Sequence, residues 1–209
     1  LTETVKDRAD CKNKNIEYFS KSIVKTTKEI KNSLTYCGKN NHYIPLVKSI
    51  NFKEQELPLD AYLMGVLLGD GSFCTGGITY STVDNEIMES VNQLLPEEYI
   101  SVHKGGCDYR IVTKARKCKE NLVKRTIKDL GLYETKSDKK FIPDIYKFNS
   151  TENRIKLLQG LLDTDGGMSK NSIEYSTCSK QLADGICFLV QSLGGTAVGT
   201  GINTPKGYS

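Results

Sequence analysis

The chain has 209 residues, of which 38% are hydrophobic and 26% charged, with a net charge of +4. This composition is typical of a soluble globular protein, and no apolar run of roughly 18 residues predicts a membrane span. Seven cysteines without a CxxC pair and two histidines far apart make a zinc finger or a disulfide scaffold a poor fit, and they favour a reducing, cytoplasmic setting.

The charge is unevenly distributed along the chain. Residues 51–100 carry one Lys against nine acidic residues, whereas residues 101–140 carry twelve Lys or Arg against five acidic residues. A basic block of this kind is either a solvated face or a surface for nucleic acid, and the composition alone leaves both interpretations open.

In chain order, residues 1–50 come first as a mixed, basic segment. We interpret it as an N-terminal arm or linker, with DNA contacts and a plain connecting role equally open. It begins Leu1-Thr2-Glu3, without an initiator Met or the charged-then-apolar pattern of a signal peptide. We therefore expect this sequence to be a piece of a longer polypeptide.

Residues 51–148 are predicted to form the first of two repeats. Its predicted elements are an apolar helix with Pro58 near its start, a hairpin through Cys74 with its second strand at 77–81, a helix over about 87–95, strands at 99–104 and 109–113, and a helix over 119–130. The first helix ends at an Asp-Gly pair, Asp70-Gly71, and the last stops at Gly131. The order is helix-strand-strand-helix-strand-strand-helix, αββαββα.

Residues 149–209 repeat the beginning of this pattern. When the chain is shifted by 95 residues without gaps, ten positions are identical over about thirty-four. The matched pairs are Leu63/Leu158, Gly65/Gly160, Leu67/Leu162, Asp70/Asp165, Gly71/Gly166, Ile78/Ile173, Tyr80/Tyr175, Ser81/Ser176, Thr82/Thr177 and Leu94/Leu189. The second copy lacks a fourth strand and a last helix, so we predict a duplicated α+β fold whose second repeat is incomplete.

The duplicated Gly and Asp positions indicate a paired site. Gly65 and Gly160 allow the two apolar helices to approach closely, which would bring Asp70 and Asp165 side by side at the helix ends. Two carboxylates there repel each other and face the negative end of the helix dipole, and a divalent cation would relieve both effects. Oxygen ligands favour Mg²⁺ over zinc, and such a site suits attack of water on a phosphodiester.

The alternative interpretation of each Asp-Gly pair is an ordinary helix C-cap and turn. A single pair favours that interpretation, but its occurrence on two duplicated helices favours a functional site.

The two helix ends resemble the signature peptides of the LAGLIDADG homing endonuclease family. The peptides are LMGVLLGDG at 63–71 and LQGLLDTDG at 158–166, and the LLGDG ending of the first is similar to the dodecapeptide variety carried by inteins. The resemblance implies two pseudo-twofold-related repeats with saddle-shaped antiparallel sheets. It also implies a monomeric, site-specific endonuclease that cuts double-stranded DNA with Mg²⁺, for which Mn²⁺ substitutes.

Further residues take their roles from this resemblance. The peptide KFIP at 140–143 resembles the Lys-x-Ile-Pro block of intein endonucleases, which favours Lys140 over its neighbour Lys139 as the active-site lysine of the first half, able to polarise a water or steady charge on the phosphate. Without the resemblance, Lys139 and Lys140 would be interpreted as a surface pair. Gly69 and Thr164 are placed beside the aspartates in the metal site. The segments 25–30 and 41–46 resemble the junction between the splicing and endonuclease parts of inteins, yet the chain shows no splicing nucleophile, Thr-x-x-His or His-Asn pair.

The family fold lays its strands in the DNA major groove, which assigns a partner to the basic block. The candidate groove or phosphate contacts are Lys104, Arg110, Lys114, Arg116, Lys117, Lys170 and Glu174. An enzyme of this kind acts in the cytoplasm, nucleus or nucleoid, wherever its target gene is accessible.

The chain departs from the family pattern in its second half, where no lysine symmetric to Lys140 occurs. The alternative function is therefore a catalytically inactive LAGLIDADG-fold module that binds DNA or RNA, such as a maturase-like protein, a regulator or a decayed intein insert.

Overall fold

The computed structural model describes residues 2–7, 23–36, 38–43, 47–74, 76–114, 121–170 and 172–200. The chain forms two compact units, residues 1–48 and 49–209, so that both predicted repeats lie in the second unit. None of the described helices has the length and apolar character needed to span a lipid bilayer.

The first unit contains regular structure in the segment that the sequence suggested was an arm or linker. Its elements are β1 (Thr2–Asp7), β2 (Ile23–Thr26), α1 (Thr27–Asn32), β3 (Thr35–Tyr36), β4 (Lys39–Asn40) and β5 (His42–Tyr43). The strands form an antiparallel sheet in the order β2-β1-β5 and a small β3-β4 pair. α1 begins with a capping box, in which Thr26 and Glu29 each bond the other's backbone N–H.

The second unit holds the remaining elements. They are α2 (Ala61–Asp70), β6 (Gly71–Cys74), β7 (Gly77–Ser81), α3 (Asn85–Leu94), β8 (Tyr99–Gly105), β9 (Asp108–Thr113), α4 (Leu122–Asp129), α5 (Asp144–Lys147), α6 (Thr151–Asp165), β10 (Gly166–Ser169), β11 (Ser172–Tyr175) and α7 (Lys180–Ser192). The antiparallel sheets are β6-β7-β9-β8 in the first half and β10-β11 in the second. The predicted α+β class with antiparallel sheets is confirmed.

Local sequence explains where the two central helices, α2 and α6, begin. Pro58 was predicted near the start of the first helix, but α2 begins after Asp60, whose carboxylate accepts hydrogen bonds from the N–H groups of Tyr62 and Leu63. Ser150 caps α6 in the same way by accepting from the N–H of Asn153. α2 is apolar on all sides, which is typical of a helix at the centre of a core. Its six buried hydrophobic residues are Ala61, Leu63, Met64, Val66, Leu67 and Leu68.

The packing of α2 against α6 is the centre of the second unit. A Cβ on Gly65 would collide with the backbone of Leu157 and lie 2.9 Å from the N atom of Leu161. A Cβ on Gly160 would collide with the backbone of Tyr62 and lie 2.9 Å from the N atom of Val66. Glycine at both positions is therefore what lets the two backbones touch.

A buried arginine near the N-terminal end of α6 bonds that helix to neighbouring segments of the chain. Arg154 is 0% exposed and has no carboxylate partner in the described residues; its guanidinium donates to the carbonyl oxygens of Asn149 and Ile50 and to Ser192 Oγ. It also lies 4.9 Å from the ring centroid of Phe52. These bonds tie the chain before α2 and the end of α7 to one side of α6.

Candidate active site at the ends of two paired helices

Each of the two central helices runs directly from its aspartate into a strand. Asp70 is the last residue of α2 and Asp165 is the last residue of α6, and the glycines that follow begin β6 and β10. Both glycines are extended, with φ of −79° and −83°, so each helix passes directly into a strand without the C-cap turn of the alternative interpretation. Glycine is needed for steric reasons, because a Cβ on Gly71 would collide with the carbonyl of Leu67.

The seam between the helices stays tight up to the aspartates. Gly69 faces Thr164, and a Cβ on Gly69 would collide with the Thr164 hydroxyl. That hydroxyl turns back to its own helix and donates to the carbonyl of Leu161 at 2.8 Å. Gly69 and Thr164 thus meet at the site, and their predicted contribution to a metal site stays a prediction.

The electrostatics of Asp70 reflect a second carboxylate close by. Partial burial raises the pKa of Asp70 above its ordinary value of 3.8, the negative charge of Asp165 raises it further, and the positive charge of Lys140 opposes both. The structure therefore brings together the three residues predicted to be catalytic. A group that binds between the carboxylates and carries positive charge would favour their ionised forms.

Lys140 is buried and fully bonded. Its side chain is 4% exposed. Its Nζ donates to the carbonyl oxygens of Leu68 at 2.9 Å, Gly69 at 2.8 Å and Gly71 at 2.7 Å. An ammonium has three N–H donors, so all of them are used here. Burial lowers the pKa of Lys140, while the charges of Asp165 and Asp70 raise it.

These bonds indicate a structural role for Lys140, at the end of α2, that the sequence did not suggest. The last carbonyls of a helix lack intrahelical partners and carry partial negative charge, and a cation placed on them satisfies both needs. Lys140 acts on α2 in this way and adds positive charge beside the two carboxylates. Polarising a water through a donated hydrogen bond, as the resemblance implied, would require one of the three carbonyl bonds to be released.

Tyr175 is a site residue that the sequence reasoning did not single out. Its hydroxyl donates to Asp165 Oδ2 at 3.4 Å, and burial together with the Asp165 charge raises the pKa of the phenol. Its duplicate, Tyr80, donates instead to Ser101 Oγ at 2.9 Å. The available signal was the identity of these two tyrosines in the duplication, but nothing in it indicates that only one of them faces an aspartate.

The described DNA contacts predicted for the first half lie on or beside β8 and β9. Lys104 is exposed at an irregularity in β8, and Lys114 is exposed directly after β9. Arg110 lies in β9 opposite Thr79, on the side of the sheet away from the buried Ile111. Arg110 Nε is buried and has no hydrogen-bond partner among the described residues. Arg116 and Lys117 lie outside the described residues.

The predicted contacts of the second half lie on the β10-β11 hairpin. Lys170 is exposed at the turn with a φ of +50°, and Glu174 is exposed opposite Gly167. By strand alternation Glu174 faces the side opposite Met168 and Ile173. The role of these residues in DNA binding stays a prediction.

The donor set at the helix ends suits a hard cation only in part. The described ranges contain no group of three or more His, Cys, Asp or Glu side chains arranged to hold a metal ion. A closed zinc or calcium cage is therefore not formed by these residues. Mg²⁺ is commonly held by one or two carboxylates with water and phosphate as its other ligands, and Asp70 and Asp165 fit that use.

Similarity to known proteins agrees with the helix-end motif. Residues 152–205, which include most of α6 and all of α7, match the family model of a LAGLIDADG-like domain. The chain is 30% identical over 177 residues to the replicative DNA helicase DnaB of Mycobacterium intracellulare, which is 83% of this chain and 26% of that protein.

Two further relatives carry different names. The chain is 32% identical over 161 residues to the probable translation initiation factor IF-2 of Methanocaldococcus jannaschii, covering 74% of this chain and 13% of that protein. It is 26% identical over 151 residues to the replication factor C small subunit of Thermococcus kodakarensis, covering 68% and 16%. The chain thus matches about a quarter or less of each relative. The match to the LAGLIDADG-like domain supports assignment of the chain to the LAGLIDADG family.

Proposed function

We propose that this chain is a site-specific homing endonuclease that cuts double-stranded DNA. The observation that carries the proposal is the meeting of Asp70 and Asp165 at the ends of two glycine-packed helices, with Lys140 charged and buried beside them. Placing two carboxylates together at negative helix ends is costly for a fold unless they serve a ligand. The LAGLIDADG family match supports this assignment.

In this proposal Asp70 and Asp165 hold Mg²⁺, or Mn²⁺ in its place, with the backbone beside them at Gly69 and Thr164. When bound, the metal would supply charge stabilisation at the scissile phosphate and a more acidic water. Lys140 holds the end of α2 by its three carbonyl bonds and thereby orients Asp70. Tyr175 orients Asp165 from the other side.

The DNA would lie along the strand faces opposite the core. Arg110, whose buried Nε has no partner among the described residues, is the most specific candidate, because an unpaired buried donor favours an acceptor from outside the protein. Lys104, Lys114 and Lys170 are exposed and suit phosphate contacts. Two pseudo-twofold-related repeats would then serve the two strands of one site, as expected for a monomer.

The relatives support an inserted element as the origin of the chain. The chain matches 13–26% of proteins named as a helicase, an initiation factor and a replication factor subunit. A small segment shared by proteins of different function does not account for what each of them does. A mobile insert of the intein variety explains such a distribution, and its target would be the uninterrupted host gene.

Plasmid cleavage tests this proposal. A supercoiled plasmid carrying the uninterrupted sequence of the parent gene is incubated with the protein in Mg²⁺ or in EDTA. Linear product is expected in Mg²⁺ only, and it should be lost in Asp70→Asn and Asp165→Asn. Asp163→Asn is the matched control, since this exposed carboxylate two residues away bonds Tyr62 at the helix surface and should be dispensable for cutting. Cutting that persists in EDTA or in both site variants would refute the proposal.

A second candidate function is binding of DNA or RNA without cleavage. The observation in its favour is that every donor of Lys140 is bonded to backbone and that the sequence offers no second lysine symmetric to it. A shift of the labelled target in a native gel, unaffected by Asp70→Asn and without linear product in Mg²⁺, would support the binding module instead of the endonuclease.

A further inference from the structure

The duplication places different residues at the N-caps of the two helices that follow the hairpins. Asp84 caps α3, and 95 residues later in the chain Ser179 caps α7. Each side chain accepts a hydrogen bond from a helix N–H, that of Glu86 at 2.8 Å and that of Leu182 at 3.2 Å. Aspartate and serine cap helices about equally well, so capping alone does not explain why the second copy has a serine.

Ser179 differs from Asp84 in its burial and in having a proton to donate. Ser179 is 1% exposed, whereas Asp84 is exposed. The Ser179 hydroxyl donates to the carbonyl oxygen of Lys140 at 2.5 Å, which is the short end of the range for O–H···O bonds. An ionised carboxylate has no proton and can only accept, so an aspartate at this position would repel the same carbonyl.

Lys140 is thereby bonded at its backbone and at the end of its side chain. Its carbonyl accepts from Ser179 at the start of α7, and its Nζ donates to three carbonyl oxygens where α2 passes into β6. The Nζ also lies 5.4 Å from the ring centroid of Phe73. The lysine therefore connects the beginning of a helix in the second half with the end of the central helix of the first half.

A second contact holds the same segment against α7. Ile142, two residues after Lys140, is 3% exposed. Gly185 is buried in α7, and a Cβ on it would lie 3.1 Å from Ile142 Cδ1, which is closer than an ordinary van der Waals contact. Because glycine lets α7 lie this close, the segment that carries Lys140 is held by α7 at two points, one of them polar and one apolar.

We propose that Ser179 is a positioning residue that sets where the ammonium of Lys140 lies. Its hydroxyl fixes the backbone of the lysine, so that the side chain reaches all three carbonyl oxygens at the end of α2 and adds its charge beside Asp70 and Asp165. The catalytic part of this proposal rests on the proposed function, whereas the part that concerns the placement of Lys140 is tested without DNA.

Substitutions separate positioning from capping. Ser179→Gly removes the hydroxyl without adding volume at a buried position, and glycine is an accepted N-cap residue. Ser179→Asp keeps an acceptor for the cap but lacks the proton, as Asp84 does in the first half. Ser179→Thr keeps both the acceptor and the proton and is the conservative variant. Ser150→Gly is the matched control, because Ser150 caps α6 in the same manner, at the end opposite to Asp165.

The placement of the ammonium is measured by NMR in the metal-free protein containing isotope-labelled lysine. Lys140 is 4% exposed and donates three bonds, so its ammonium protons should exchange slowly with water, and Lys140→Arg identifies the signal by its loss. We expect this exchange to become about tenfold faster or more in Ser179→Gly and Ser179→Asp. It should stay as in wild type in Ser179→Thr and Ser150→Gly.

Cleavage of the host-gene target is measured with the same variants. Ser179→Gly should lower kcat by about tenfold or more, because a displaced ammonium disturbs the carboxylates at the reacting centre. KM should stay within about twofold of wild type, since the strands proposed to bind DNA are not altered. Ser179→Thr should restore kcat, which the loss of a merely structural contact does not predict.

Unchanged exchange of the Lys140 ammonium in both Ser179→Gly and Ser179→Asp would overturn the proposal, because the lysine would then be placed without the hydroxyl. Faster exchange in Ser150→Gly as well would also overturn it, since the defect would then follow from the loss of a helix cap. A displaced ammonium with wild-type kcat would overturn the catalytic part. A wild type that protects the ammonium but cuts no DNA would refute the proposed function and support the placement of Lys140 by Ser179.

Discussion

The ends of α2 and α6 have the same backbone but different surroundings. Both helices finish in Asp-Gly and pass straight into a strand. At the end of α2 the buried ammonium of Lys140 bonds three carbonyl oxygens, whereas at the end of α6 the phenol of Tyr175 bonds the aspartate itself. The duplication thus reproduces the backbone of the helix ends, while Lys140 and Ser101, which lie outside the matched positions, make the surroundings of the two ends different.

The feature that both halves share should be the most sensitive to change. We expect Gly65→Leu to abolish stable folding, since even a Cβ at this position collides with the backbone of α6, and rigid backbone cannot yield as a side chain can. Thermal unfolding followed by circular dichroism measures this. Gly76→Ala is the matched control, because its Cβ would lie 3.8 Å from Arg110 Nη2, an ordinary contact. A cooperative transition at the wild-type temperature in Gly65→Leu would disprove the close helix packing.

The duplicated hairpins should differ most in their response to truncation. Phe73→Ala removes a buried ring and should cost about 3–5 kcal/mol in the free energy of unfolding, as large-to-small core changes do. Met168→Ala, at the equivalent and 84% exposed position, should change it by about 0.5 kcal/mol or less. Chemical denaturation of the two variants measures the difference. Similar losses in both variants would show that the second hairpin is covered after all.

The end of α2 should depend on Lys140 for stability as well as for activity. Lys140→Met keeps much of the side-chain volume but removes the donor to two carbonyl oxygens at the end of α2 and to that of Gly71 at the start of β6, so we expect a loss of about 3 kcal/mol, of the size found for buried polar groups left unpaired. Denaturation of the metal-free protein separates this effect from catalysis. Lys139→Met is the control, because that neighbour is exposed. A Lys140→Met variant as stable as wild type would restrict Lys140 to a role in the reaction.

The smallest expected effect concerns the carboxylates without metal. The pKa of Asp70 is raised above 3.8 in the folded protein, so its contribution to stability is present below 3.8 and is lost as the pH rises through the raised value. Asp70→Asn should therefore be slightly more stable than wild type near pH 7 in EDTA, by a few degrees at most. Mg²⁺ should raise the melting temperature of wild type but not of the variant. A wild type that is the more stable of the two in EDTA would contradict this interpretation.

The sequence predicted the features that duplication makes visible. Gly65, Gly160, Asp70 and Asp165 recur at one spacing, and the structure has the two glycines in direct backbone contact. Element order in the first half was also predictable, because apolar residues follow helical or alternating periods there.

Other features depend on contacts that periodicity does not encode. The three bonds of Lys140 arise from how the chain before α5 folds back over the end of α2, and no local pattern specifies that. The selection of Tyr175 over Tyr80 as an aspartate partner depends on Ser101, which belongs to a strand present in the first half. The direct passage from helix to strand was missed because Gly after Asp usually signals a turn, whereas here it avoids a collision with the preceding helical turn.

That passage has a mechanical consequence. With no loop between Asp70 and β6, or between Asp165 and β10, the backbone of each aspartate is continuous with the strand that follows it. The two helices are held together by close backbone packing at Gly65 and Gly160. We therefore expect a ligand that displaces β6 or β10 to move the adjoining aspartate and to change the separation of the two carboxylates.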